Sequence, residues 1–357
     1  MKFKKIILLL LALSIVALSA LAIYSAAGFE YAGHFNYIKK TVLDKRFDAK
    51  TSGLDGERSI ITCSFLSEGV AGYAEKHPDA KKDAAAILEK CIRIAMSDNV
   101  RQVRSLQDTA TWLYSNLYLS HLNILLGSYQ RLTGSAKYHE LHSEISGYLA
   151  RHLLASPTGN VRSYASMREV WPADNAATLH SLYLYDRLNN TGLSSEPVRK
   201  WLAFMTSSGA DSKTGLPMSE LTGITRYSRY PRGCALSWTV KYMSGFAPKE
   251  ARTLWARYKK IYKINFGIAA AFCEYPPGID LGTDYDTGPI VFGMGSAATG
   301  LAMPAAAWAE DWLTLCQLRS SMAIVDILVQ CVPEKEVRQV AGGLLARSIR
   351  INGVGKY

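Results

Sequence analysis

The stretch GCALSWTVKYMSG (residues 233–245), followed at once by PKEARTLWARYKKIYKINF (residues 248–266), decides how this chain folds. The first segment is small or apolar on nearly every side, with Lys241 its one charge. The second opens on Pro248, suited to a first helical turn, and carries Lys249, Glu250, Arg252, Arg257, Lys259 and Lys260 around a narrower apolar stripe. A helix that is apolar all round is buried, and an amphipathic one covers it. The two segments therefore read as the inner and outer members of a helical hairpin.

The same alternation recurs along the chain. Segments 58–77 and 80–97 pair in this way, as do 108–132 with 135–154, 174–188 with 194–208, and 289–308 with 310–332. Breaks at His77-Pro78, Thr133-Gly134, Ser156-Pro157 and Asn189 to Gly192 mark helix ends, and Ser194 to Pro197 is a capping run with an early proline. Two stretches depart from the helical period. Residues 210–231 are rich in Gly, Ser, Thr and Tyr and fit a small β-hairpin, and residues 267–288 are broken by Gly and Pro. The expected fold is all-α: an α/α barrel, or toroid, of five to six helical hairpins with a small irregular or β-hairpin insertion. Residues 287–309 carry no charge and are long enough to cross a membrane. Their Gly, Ala, Ser and Thr content suits close helix packing instead, so they read as an inner helix.

At the N-terminus, Lys2, Lys4 and Lys5 precede an apolar run from Ile6 to Ile23. Residues 1–25 are thus expected to be a signal anchor or signal peptide, residues 26–55 a juxtamembrane linker, and residues 56–357 the barrel. Lysines ahead of the run put the main domain outside the cytoplasm, in the periplasm or another extracytoplasmic space, with the membrane held through the N-terminal segment. Hydrophobic residues make up 48% of the chain and charged ones 20%, which supports a sizeable core and argues against disorder. The net charge of +11 suits solubility or an anionic surface. No Lys/Arg run with interleaved aromatics accompanies it, which argues against nucleic acid. Six cysteines (Cys63, Cys91, Cys234, Cys273, Cys316 and Cys331) are widely spaced with no CxxC, so neither a zinc site nor any other metal or cofactor is expected, and most read as core residues. The chain has no His-Glu-x-x-His, P-loop or Gly-x-Ser-x-Gly motif.

In a ring of paired helices the loops entering the inner members gather at one mouth. Four such loops, around 104–112, 168–175, 229–238 and 273–288, hold the residues suited to chemistry. Glu274, Asp280, Asp284 and Asp286 fall within thirteen positions. Helix capping accounts for one aspartate there. Clustered carboxylates also shift one another's proton affinity, which makes Asp174, Glu274, Asp284 and Asp286 the catalytic candidates. Asp174, just after Trp171-Pro172, carries the same choice between cap and acid. Asp284-Tyr285-Asp286 has the form of a metal-binding Asp-x-Asp but lacks a further ligand set. Arg232 offers a forked donor, and Trp171, Trp238, Tyr275 and Tyr285 offer flat rings, for binding substrate or for filling the core. His180 has no carboxylate one turn before it on its own helix and reads as a core residue.

This layout resembles the α/α-barrel enzymes, namely the six-hairpin glycosidases and polysaccharide lyases and the five-hairpin linalool dehydratase-isomerase. The resemblance covers most of residues 58–332 as architecture, with no motif carried over residue by residue. It implies a site in the barrel mouth where acids often serve. The first expectation is a carbohydrate-active enzyme that uses carboxylate general acid/base catalysis on a small-molecule or glycan substrate. The resemblance also admits a lyase or isomerase for a hydroxylated lipid or terpenoid, which Cys234 and Cys273 beside the mouth would suit. A third reading is a non-catalytic envelope binding or scaffold protein.

Overall fold

The structure, a computed structural model, describes residues 16, 19–20, 30–48, 56–164, 166–222, 226–227, 230–330 and 343–354. The anchor expected over residues 1–25 lies outside the described residues apart from isolated positions, as does Cys331.

Six helices form an inner ring: α2 (Gly56–Lys76), α4 (Asn116–Thr133), α6 (Pro172–Asn189), α8 (Gly233–Phe246), α10 (Ser296–Trp308) and α12 (Leu344–Ile351). Each packs on the next, and α12 closes the ring against α2. Outside them lie α3 (Lys81–Ala95), α5 (His139–Ala155), α7 (Ser195–Met205), α9 (Pro248–Tyr262) and α11 (Trp312–Gln330). Each of these leans on the inner helix before it. The expected barrel of helical hairpins is the observed fold. In α4 the residues from Asn116 to Tyr129 are all buried, whereas α9 buries only Ala251, Leu254, Trp255, Tyr258 and Tyr262. The contrast is what their patterns of charge dictate.

Helix ends follow local chemistry. Gly134 closes α4 in the left-handed conformation (φ 70°), and Asn190 does the same for α6 (φ 54°). Helix α10 starts at Ser296, not Pro289 as the sequence suggested. Residues 289–295 instead form a tight hairpin, β6 (Ile290–Val291) against β7 (Met294–Gly295), turned through Phe292 and Gly293, both at positive φ. The insertion over 210–231 contributes β2 (Leu221–Thr222) and β3 (Arg226–Tyr227), which extend β1 (Glu169–Val170) into a three-stranded antiparallel strap. A further pair, β4 (Lys263–Asn265) and β5 (Ala270–Phe272), follows α9.

The sixth hairpin corrects the sequence reading. Residues 30–42, placed within a linker, are the outer helix α1 (Glu30–Val42), whose Tyr31, His34, Phe35, Ile38 and Val42 are buried. Its inner partner is α12, from the other end of the chain. Tyr31 donates a 2.5 Å hydrogen bond to the carbonyl of Gly353, and Asn352 donates to the carbonyl of Phe65.

The barrel interior is filled. Glu68, His180 and Lys241, all buried, meet there from α2, α6 and α8. Glu68 Oε1 lies 2.8 Å from His180 Nε2, and Lys241 Nζ bonds its other oxygen. The Lys241 ammonium also sits over the rings of Tyr242, Phe65 and Trp308. Burial alone would push Glu68 up; Lys241 and His180 outweigh it and hold the carboxyl at about 2. His180 is thus the core histidine expected, with its acid supplied by another helix.

The seam between α2 and α12 depends on Gly69. A Cβ there would meet Ile351 Cγ2 at 2.4 Å and the Asn352 backbone nitrogen at 3.0 Å. Gly69→Ala is expected to lower unfolding stability by about 1–3 kcal/mol, while Gly300→Ala, with open space at its Cβ, keeps or raises it. Urea unfolding of both variants checks this, and equal midpoints would show that the seam yields freely.

Candidate active site

The N-termini of the inner helices share one end of the barrel, and the loops entering them enclose a cavity of about 520 Å³. Met167, Glu169 and Trp171 approach from the loop before α6; Ser219, Glu220, Tyr230 and Arg232 from the loop before α8; Tyr275, Leu281 and Asp284 from the loop before α10. Three of the four loops singled out by composition therefore do converge.

Arg232 is the hub. Its Nε lies 3.1 Å from Glu274 Oε1 and its Nη2 2.9 Å from Asp284 Oδ1. Glu274 is fully buried. It also accepts from the backbone N–H of Cys234 at 3.2 Å and from the Cys234 thiol at 3.0 Å. Burial pushes Glu274 above the usual carboxylate range, and the thiol and Arg232 oppose it. This packing requires a glycine at 233, because a Cβ there would sit 2.1 Å from the carbonyl oxygen of Cys273. Asp284 is half exposed. It accepts from the backbone N–H groups of Asp286 and Thr287, each at 2.9 Å, and so closes a turn while facing the cavity.

Asp174 sits in the first turn of α6, yet no side chain caps that helix among the described residues; the cap position is Trp171. The Asp174 carboxylate instead takes the Ser163 hydroxyl at 2.5 Å. It keeps some solvent access within a recess. Burial pushes it up to about 7; the Ser163 hydrogen bond opposes that, and the nearby carboxylates of Asp286 and Glu57 add to it. Asp286 is exposed. Desolvation raises it too, against the pull of Arg232. Tyr164, hydrogen-bonded to Glu57, packs edge-on against Trp171 with ring centroids 5.8 Å apart.

Trp171, Arg232 and Tyr275 line the cavity. Tyr285 is exposed on its rim, with the Arg58 guanidinium 4.0 Å above its ring. Trp238 takes the core alternative. One helical turn below the mouth, it packs edge-on against Phe65, His121 and Tyr242 in the barrel interior. Asp280 is exposed and accepts from the Gly282 N–H at 2.9 Å, a turn contact. Sequence reasoning missed Glu57, Ser163 and Tyr164, which come from different loops and share no local pattern. Cys234 is buried, and its thiol is pushed far up by burial and by Glu274. Burial likewise raises Cys273. Neither is poised as a thiolate.

Fold and mouth together define an α/α barrel whose polar centre lies at the N-terminal ends of the inner helices. No family model matches the sequence. Among solved structures the chain is similar to a glycoside hydrolase of family 105 from C. acetobutylicum ATCC 824, at 12% identity and a TM-score of 0.55, covering 82% of this chain and 93% of that one. It is also similar to an unsaturated glucuronyl hydrolase specific for heparin, at 10% identity and a TM-score of 0.55, covering 82% and 84%. A third neighbour is the GH76A alpha-1,6-mannanase of Salegentibacter sp. HEL1_6, at 9% identity and a TM-score of 0.57, covering 91% and 97%. The likeness is one of fold.

Replacing Arg232 by Gln would leave the Glu274 carboxylate buried without its cation. Glu274 is raised already, and losing Arg232 raises it further, so the penalty grows as pH climbs. Arg232→Gln is expected to cost about 3 kcal/mol at pH 8 and clearly less at pH 5, in chemical unfolding at the two values. An equal loss at both would mean that Glu274 holds its proton throughout.

Proposed function

We propose that this chain is a carbohydrate-active hydrolase that cleaves a glycosidic bond by carboxylate acid–base catalysis, with Asp174 as the proton donor and Asp286 as the second carboxylate. The observation that carries the reading is Asp174 itself: a recessed carboxyl, released from capping and pushed up to about 7 beside other acids. An acid that still holds its proton near neutrality is what protonation of a leaving oxygen requires. Asp286, opposed by the Arg232 cation, is suited to take a proton from water. Asp284 and Arg232 would orient sugar hydroxyls, and Trp171 and Tyr275 would pack on the ring faces. Tyr285 extends the rim. Glu274, first expected as an acid, is better employed in holding Arg232 in place. The three neighbours, all named as glycan-cleaving enzymes, support the substrate class.

The lyase reading loses its support with the thiols, since Cys234 is a buried, protonated donor to Glu274. The scaffold reading needs every acid engaged in capping or ion pairs, and Asp174 is in neither.

Asp174→Asn and Asp286→Asn are each expected to lower sugar release from an oligosaccharide panel at least about 100-fold. Wild-type activity should fall as pH rises through about 7, where Asp174 loses its proton. Stability gives an independent check. Folded Asp174 keeps a proton that the unfolded chain releases near 3.8, so the fold loses stability as pH rises from there towards 7. The amide lacks that loss, and Asp174→Asn should melt above wild type at pH 8. A variant with full activity would end the assignment.

We further place the barrel outside the cytoplasm, tethered by the run from Ile6 to Ile23. The lysines before that run support this orientation. Alkaline phosphatase fused after residue 48 should be active in bacteria only while the run is present; activity lost with the run intact would reverse the orientation.

A further inference from the structure

A second cavity, of about 300 Å³, lies across the β1–β2 strap from the first. Val170 and Leu221 of the strap line it, while their neighbours Glu169 and Glu220 line the other. The catalytic reading makes no use of it. Its walls include the rings of Trp112, Tyr114 and Tyr148, and Arg162 and Arg168 stand at its edge. Among the described residues no acidic side chain lines it. The Arg162 guanidinium lies 4.6 Å over the Tyr114 ring; the Arg168 backbone N–H donates to Glu169 Oε2 at 3.1 Å, but neither guanidinium is in an ion pair among the described residues.

One buried atom in this wall is unmatched. Asn116 is only 4% exposed. Its Nδ2 donates to Thr178 Oγ1 at 2.7 Å, and the Thr178 hydroxyl gives its own proton to the carbonyl of Asp174 at 3.0 Å. Thr178 can therefore only accept from Asn116, which fixes the amide orientation. Asn116 Oδ1 is left buried without a donor and closed off from the cavity, so recognition falls to the rings and the two guanidinium groups.

We propose that this cavity is an accessory subsite for an acidic saccharide unit. The aromatic walls pack on the sugar's apolar face, and Arg162 and Arg168 hold its carboxylate. The saccharide part rests on the carbohydrate reading above. The strap then separates two units of one chain, a uronate on this side and the scissile linkage on the other. Forked guanidinium donors match a carboxylate better than a neutral hydroxyl, and an aromatic wall suits a pyranose face.

The test is ligand-observed NMR titration of the barrel with sodium glucuronate, glucose and acetate. Glucuronate should bind at least about tenfold tighter than either of the others. Arg168→Gln, at an exposed position that folding tolerates, and Arg162→Gln should each weaken glucuronate about tenfold while leaving glucose unchanged. Asp174→Asn should leave glucuronate affinity intact, so failure of the catalytic assignment and failure of this subsite are read separately. Glucuronate binding no tighter than glucose would overturn the proposal, as would acetate matching glucuronate or affinity surviving both arginine substitutions.

Discussion

One buried carboxylate, Glu68, reaches two inner helices besides its own, and the mouth of the barrel takes its shape from that contact. With His180 on one oxygen and Lys241 on the other, α2, α6 and α8 are fixed in axial register. Apolar side chains alone would allow these helices to slide with little penalty, since one small or aliphatic residue replaces another. A buried ion pair tolerates no such shift, because a displaced partner leaves an uncompensated charge in a medium that solvates it poorly. Fixing α6 and α8 fixes where their first turns end. Those first turns present Asp174 and, through the Arg232 cap position, the guanidinium that links Glu274 to Asp284.

The mouth then reads as a set of carboxylates sorted by surroundings. Glu274 is enclosed and paired, Asp284 is half exposed and paired, and Asp174 is partly buried with the exposed Asp286 near enough to act on it. The same side chain thus serves as a strut in one position and as a proton reservoir in another. Desolvation and neighbouring charge make the distinction.

Much of this was legible in the sequence because helical periodicity is a strong local signal. The five consecutive hairpins follow from alternation of all-apolar and amphipathic segments, as at residues 233–266. What escaped were features set by distance along the chain or by depth. Helix α12 is too short for a period to stand out, and α1 follows closely on the apolar N-terminal run, so neither announced itself as half of a hairpin. Residues 289–295 share the small, uncharged composition of the helix that follows, and only the backbone reversal at Phe292 and Gly293 separates them. Trp238 follows Arg232 closely in sequence, but a single turn carries it from the rim into the packed interior. Composition singled out the four acids together. The surroundings of Asp174 include Ser163, Glu57 and Tyr164, residues that no spacing rule connects to it.

The pairing of α1 with α12 makes the barrel a bracelet whose clasp is made from its two ends. The contacts that shut it span nearly the whole chain: Tyr31 to Gly353, and Lys76 to the carbonyl of Val354 at 2.8 Å. Contacts at such sequence separation form late, since the loop between them must be ordered first. A growing polypeptide can assemble its hairpins in succession but stays an open arc until its last helix has emerged.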